Sequence, residues 1–174
     1  IQGNITCLNI SNGKLVWNLQ TTAGKWVNSD HASPYNGDAS AWSGGSVDPE
    51  TGILYVPLGS PSPNFNASTR QDTPNLYANR MMAVNITDGN ILWSTPFIDF
   101  GTILPVKVPD THDWDTSWGS SIIKVNFDNG TQKKLVIGHD KMGNIMAMDA
   151  STGKEIWWNI LGKQYNTNSI PLPN

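Results

Sequence analysis

The run His112-Asp113-Trp114-Asp115 sets an imidazole and two carboxylates beside an indole. A carboxylate such as Asp115 can serve as a general base, or can bond backbone amides in a turn. His112 and Asp113 read as loop-fixing partners, because no second His or carboxylate stands at the usual metal-ligand spacing. Lys141, within Gly138-His139-Asp140-Lys141-Met142-Gly143-Asn144, offers a cation to a site or to solvent. Trp42, ahead of Ser43-Gly44-Gly45, offers a large flat apolar face; in a chain with 8 Trp, packing between structural units is the competing use.

The elements that must carry these residues are set by an internal repeat. Its copies are Leu8-Asn9-Ile10-Ser11-Asn12-Gly13-Lys14-Leu15-Val16-Trp17, Val84-Asn85-Ile86-Thr87-Asp88-Gly89-Asn90-Ile91-Leu92-Trp93 and Met148-Asp149-Ala150-Ser151-Thr152-Gly153-Lys154-Glu155-Ile156-Trp157. A degenerate copy, Val47-Asp48-Pro49-Glu50-Thr51-Gly52-Ile53-Leu54-Tyr55, has Tyr where the aromatic is expected. Each predicts a strand, a tight turn opened by Asn or Asp and completed by a Gly at positive φ, and a second strand. Beyond the turn, Leu15, Ile91 and Ile156 alternate with their neighbours, and the Trp offers a surface to the next unit. A lone hairpin is not stable, so successive four-stranded units must stack radially, as in a β-propeller. The spacing between the full copies exceeds the roughly 40 to 50 residues of short propeller repeats, which leaves long loops at Trp26 to Trp42 and Phe97 to Trp118. Functional sites are built on such loops.

Composition agrees. The 174 residues include 16 Gly, 11 Pro and 8 Trp with 14% charged residues, a profile of short strands and many turns rather than helices. A net charge of −3 excludes a nucleic-acid footprint or a polybasic membrane anchor. No apolar run reaches the roughly 20 residues needed to span a bilayer, and no signal peptide opens the chain. The single cysteine, Cys7, rules out an internal disulfide framework and reads as a small buried residue. About three blades of four strands fit residues 1–174, so the chain is expected to be a segment of one larger propeller.

The repeated Asp/Asn-x-x-(Thr)-Gly-x-x-x-Trp unit resembles the tryptophan-docking motif of the pyrroloquinoline quinone (PQQ)-dependent alcohol dehydrogenases, which are eight-bladed quinoprotein β-propellers. The resemblance extends over essentially the whole chain through loop motifs in the family's order. The segment from Ala41 to Pro57 resembles the lead into the metal-ligand loop, and Gly59-Ser60-Pro61-Ser62-Pro63 resembles Gly-Asn-Pro-x-Pro. Asn75-Leu76-Tyr77, the shortened His112-Asp113-Trp114-Asp115 and Lys141-Met142-Gly143 follow in turn.

The resemblance implies a role for each match. Trp42 corresponds to the indole on which the quinone rings lie. Asp115 corresponds to the carboxylate that takes the alcohol proton as hydride moves to the quinone. Lys141 corresponds to the basic residue at the quinone oxygens. Trp114 and Trp118 either close an apolar substrate chamber or pack. Ser60 stands where the family has a metal-ligand Asn, and a hydroxyl is a weaker donor to calcium than an amide carbonyl. Ser117 is not the additional Asp of lanthanide-using relatives, which makes Ca²⁺, held with Asp115, the expected ion. The family's ligand Glu falls before Ile1.

Two functions follow. The first is an alcohol or aldehyde dehydrogenase handing electrons to a cytochrome, a copper protein or a membrane quinone; the second is an inactive propeller of the same lineage serving as a surface scaffold or binding protein. Five Asn-x-Ser/Thr sequons, at Asn4, Asn9, Asn66, Asn85 and Asn129, point to an extracytoplasmic protein: periplasmic, secreted or on the cell surface. Asn66 and Asn129 lie in the expected exposed loops and are the better acceptors, whereas Asn9 and Asn85 sit inside the repeated turn.

Overall fold

A computed structural model describes residues 3–21, 37–59, 61–62, 79–96, 116–140 and 144–160. Among them there is no helix, and the strands form four antiparallel sheets. β1 (Asn4–Leu8) pairs with β2 (Leu15–Gln20), and the short β3 (Gly37–Asp38) pairs with β6 (Pro61–Ser62). One four-stranded meander comprises β4 (Ser46–Asp48), β5 (Ile53–Leu58), β7 (Arg80–Asn85) and β8 (Ile91–Pro96). The other comprises β9 (Thr116–Asn126), β10 (Gln132–Asp140), β11 (Asn144–Asp149) and β12 (Glu155–Ile160). These are the four-stranded units expected from the repeat, and the chain forms part of a propeller.

The three full repeats become the hairpins β1–β2, β7–β8 and β11–β12. Their turns share one construction. The side-chain oxygens of Asn9, Asn85 and Asp149 accept hydrogen bonds from the backbone N–H two residues on, at 2.9, 2.8 and 3.0 Å. The backbone N–H of Gly13, Gly89 and Gly153 then donates to the carbonyl of that same Asn or Asp. At φ of +68, +76 and +72°, these positions suit glycine.

Each turn is also a socket. Trp17 Nε1 donates to Ile86 O at 2.9 Å, and a Cβ on Gly89 would stand 2.8 Å from the Trp17 ring. One unit further on, Trp93 Nε1 donates to Ala150 O at 3.0 Å, and a Cβ on Gly153 would stand 2.5 Å from the Trp93 ring. Thr95 Oγ1 completes this contact by donating to Gly153 O at 2.7 Å. The degenerate copy behaves as its Tyr predicts: the Tyr55 hydroxyl donates to the same Ala150 carbonyl at 3.0 Å, and its ring lies 5.8 Å from that of Trp93. Burial is the first cause and Asp48 the second in pushing the phenol's pKa up, so Tyr55 remains a neutral donor.

The middle meander is buried on both faces. Tyr55, Met81 and Ala83 pack with Val136, Met146 and Met148 of the following sheet, while Val56, Leu58, Met82 and Val84 pack against Ile5, Trp17 and Leu19 of the preceding one. Side chains alternate along β5 and β7, so successive residues serve opposite interfaces, and the strands read as continuous apolar runs. Leu15 is exposed, because the packed face of β2 belongs to Trp17 and Leu19, and Cys7 is half-buried rather than buried as expected.

Polar contacts also join the two meanders. Lys134 Nζ on β10 lies 2.6 Å from Asp48 Oδ2 and 2.8 Å from Glu50 Oε2, and Lys124 Nζ lies 2.7 Å from Glu50 Oε1. The Lys134 ammonium, then the Thr51 hydroxyl, holds the Asp48 carboxyl at about 2. Asp149, bonded first by Ser151 and then by Lys133, is likewise held at about 2.

Two predictions follow from these contacts. Gly153→Ala places a Cβ into the Trp93 ring as well as straining the backbone; Gly130→Ala, at φ +79° with nothing within 4 Å, strains the backbone alone. Chemical denaturation is expected to show Gly153→Ala the less stable of the two by about 1–3 kcal/mol. The depressed Asp48 and Asp149 carboxyls stabilise the fold above the unfolded carboxylate value, and this contribution is lost as pH falls from about 4 towards 2. Melting temperatures across that window should fall less steeply in Asp48→Asn, which keeps only the Asp149 share.

Candidate functional site

The first strands of the two meanders meet edge to edge. Ser46 N donates to Ser120 Oγ at 2.9 Å, Ser46 Oγ bonds Ser120 O, and Ser120 Oγ donates to Tyr55 O at 2.9 Å. Within its own sheet Gly45 packs where a Cβ would stand 2.5 Å from Tyr55 O, and across to the other meander a Cβ on Gly119, at φ +102°, would lie 3.7 Å from Gly44 O, an ordinary contact distance. The segment Trp42 to Gly45 therefore runs directly beside the beginning of β9.

Trp42 is 54% exposed and Trp157, the Trp of the third repeat, 42%, whereas Trp17 and Trp93 are seated on turns. Trp42 lies against Gly59, where a Cβ would come within 3.0 Å of Nε1. Gly59 in turn donates its N–H to Ser40 O at 3.0 Å and accepts from Asn79 N at 2.9 Å. Next in the chain, Ser43 Oγ is buried with no hydrogen-bond partner among the described residues, and Gly44 has nothing within 4 Å of a Cβ position. An exposed indole, open space and an orphaned hydroxyl fit a planar, polar-edged ligand laid on this ring.

Of the other expected site residues, Ser60, Asp115 and Lys141 lie outside the described residues, as do His112, Asp113 and Trp114. Their chain neighbours are described. Thr116, which follows Asp115, pairs with Asp140, which precedes Lys141, at the end of the β9–β10 ladder. Gly59 precedes Ser60 and touches Trp42. Among the described residues no group of three His, Cys, Asp or Glu gathers as a metal site.

Asp140 and Asn144 were not singled out by motif, yet both are buried. The Asp140 carboxylate accepts from the Asn144 backbone N–H at 2.9 Å and from its side-chain amide at 2.5 Å, which clamps the two sides of the β10–β11 connection. Of the sequons, Asn66 lies outside the described residues. Asn129 occupies the exposed β9–β10 turn, with Oδ1 accepting from Thr131 N and Oγ1 at 3.0 and 2.7 Å. Asn9 and Asn85 open docking turns, and the Asn4 side chain accepts from Asn18 Nδ2 at 3.3 Å.

The family model for PQQ proteins described as "Glucose/ethanol/alcohol dehydrogenase, beta-propeller domain" matches residues 1–168. The chain belongs to the PQQ β-propeller dehydrogenase family. Among curated members it is 29% identical to the quinoprotein alcohol dehydrogenase PedH of Pseudomonas putida, over 90% of this chain and 28% of that protein. It is 26% identical to quinoprotein glucose dehydrogenase A of Acinetobacter calcoaceticus, over 88% of this chain and 18% of that one. The crystal structure of quinohemoprotein alcohol dehydrogenase from Comamonas testosteroni superposes with a TM-score of 0.73 at 18% identity, covering 94% of this chain and 25% of its own. A europium-containing methanol dehydrogenase superposes with a TM-score of 0.69 at 17% identity, covering 92% of this chain and 30% of its own. The chain thus spans less than a third of the length of these PQQ propeller proteins, and the structural likeness supports the propeller fold.

Removing the clamp at the β10–β11 connection should be costly. Asp140→Ala leaves the buried Asn144 amide and N–H unbonded and is expected to lower stability by about 1–3 kcal/mol in urea denaturation, with faster amide exchange at Asn144.

Proposed function

We propose that this chain is part of a dehydrogenase that oxidises an alcohol or aldehyde with PQQ, and that residues 1–174 supply about three blades of its ring. The observation that carries the reading is the half-exposed Trp42 indole beside Gly59, in a chain matched by the PQQ family model over residues 1–168. The meeting of Thr116 and Asp140, the chain neighbours of Asp115 and Lys141, at one end of a ladder adds support.

Trp42 holds the planar face of the quinone by stacking, without covalent attachment. When bound, PQQ supplies the hydride acceptor. Asp115, as carboxylate, accepts the proton of the substrate hydroxyl as the carbon loses hydride, so an alcohol leaves as a carbonyl, two electrons poorer. Lys141 holds positive charge where the cofactor's oxygens become more negative. Ser60 and Asp115 contribute oxygens to a calcium ion, and the shorter serine donor makes a weak site. The electrons pass on to a cytochrome, a copper protein or a membrane quinone. We place the protein outside the cytoplasm, with Asn66 and the exposed Asn129 as glycan acceptors; among the described residues no helix is long and apolar enough to cross a membrane.

The test is titration of the full-length protein with PQQ and Ca²⁺, followed by alcohol-dependent reduction of an artificial electron acceptor. Asp115→Asn is expected to retain PQQ and lose about 10²–10⁴ in turnover, while Trp42→Ala is expected to lose PQQ affinity. Absence of PQQ uptake under every metal condition overturns the reading in favour of a scaffold or binding propeller.

A further inference from the structure

The support beneath Trp42 begins in a different sheet. Thr21, just past the end of β2, is fully buried, and its hydroxyl donates to Ala39 O at 2.6 Å. Its own N–H donates to Gly3 O at 2.9 Å, tying it to the strand pair β1–β2. Ala39 is also fully buried and holds φ of +53°, a left-handed conformation that a residue with a side chain adopts only when its surroundings impose it. Two bonds fix the chain at and just after that kink: Thr21 holds the Ala39 carbonyl, and Gly59 N–H holds the Ser40 carbonyl at 3.0 Å. The chain then enters Ala41, packed in the apolar cluster of β5 and β7, and reaches Trp42 over the bare Gly59. A second left-handed residue, Asn79 at φ +52°, caps the same knot by donating its N–H to Gly59 O.

From this arrangement we infer that Thr21 is a positioning residue for Trp42. Its hydroxyl locks the Ala39 kink that aims the indole, and Gly59 leaves the space in which the indole lies. Thr21 touches neither ligand nor reacting atoms; it acts through Ala39. The consequence for cofactor binding rests on the quinone reading of Trp42, whereas the positioning itself does not.

Thr21→Val keeps the shape and removes the hydroxyl, Thr21→Ser restores a donor, and Gly59→Ala intrudes on the indole from the opposite side. The full-length protein is labelled with 5-fluorotryptophan, and the fluorine resonance missing from Trp42→Phe identifies Trp42. Thr21→Val and Gly59→Ala are expected to shift or broaden that resonance while the other indole resonances keep their positions, and Thr21→Ser to leave it at the wild-type position. PQQ affinity, followed by fluorescence titration, should weaken about tenfold in Thr21→Val, the scale of one lost hydrogen bond, and recover in Thr21→Ser. Should Thr21→Val fail to fold, Gly59→Ala and Thr21→Ser decide the matter through the same resonance. A Trp42 signal and PQQ affinity unchanged in the folded variants, with only the melting temperature lowered, overturn the inference. A displaced Trp42 signal in a protein whose wild type takes up no PQQ keeps the positioning role and overturns the quinone reading.

Discussion

An indole set on a turn that has no side chain is the contact on which the remainder of this structure depends. Trp17 on the Gly89 turn and Trp93 on the Gly153 turn each combine a flat apolar face with one directed N–H bond, to Ile86 O and Ala150 O. The stacking buries area, while the N–H fixes which carbonyl the ring must find. Sheet-to-sheet registry is therefore specified at a point, and the alternating faces of β5 and β7 fill the interfaces on either side. With neighbouring sheets held at one end by these rings, the opposite strands β4 and β9 can approach closely enough for Ser46 and Ser120 to bond.

That approach brings the segment from Trp42 to Gly45 beside β9. Glycine is used there for room as well as for φ: Gly45 and Gly59 sit at ordinary backbone angles but face atoms that a Cβ would strike. Trp42 differs from the docking rings in the same respect. Trp17 and Trp93 are received by the turn of the next sheet, but Trp42 lies on Gly59 of its own neighbourhood and is 54% exposed. The same chemical group thus joins sheets in two places and stands half-exposed in a third.

Polar groups at this end are held by backbone more than by one another. Asp140 binds Asn144, Thr21 binds Ala39, and Gly59 binds both Ser40 and Asn79. Two residues with side chains take left-handed φ within this knot, and their strain is borne by buried partners around them. By contrast, the Asp48–Lys134–Glu50 ion pairs lie between the two meanders near the β4–β5 turn, where they join sheets.

Much of this was legible in the residues alone. The three Gly turns, their Asx-bonded openings and the Trp four residues beyond each Gly predicted the hairpins and the all-β propeller, because those features act within a dozen residues of chain. Tyr55 in the degenerate copy was rightly expected in the aromatic role. Which partner each ring would meet could not be read in the same way, nor could the exposure of Leu15 or the half-burial of Cys7, since these depend on what the neighbouring sheet presents. Thr21, Ala39, Asp140 and Asn144 carried no signal: an ordinary threonine gains its role only when a carbonyl 18 residues away is brought to its hydroxyl. The sequence by itself determined the repeating unit, because turn chemistry and strand periodicity are local; the tertiary structure alone decided the pose of Trp42, because that pose is set by contacts between segments distant in the chain.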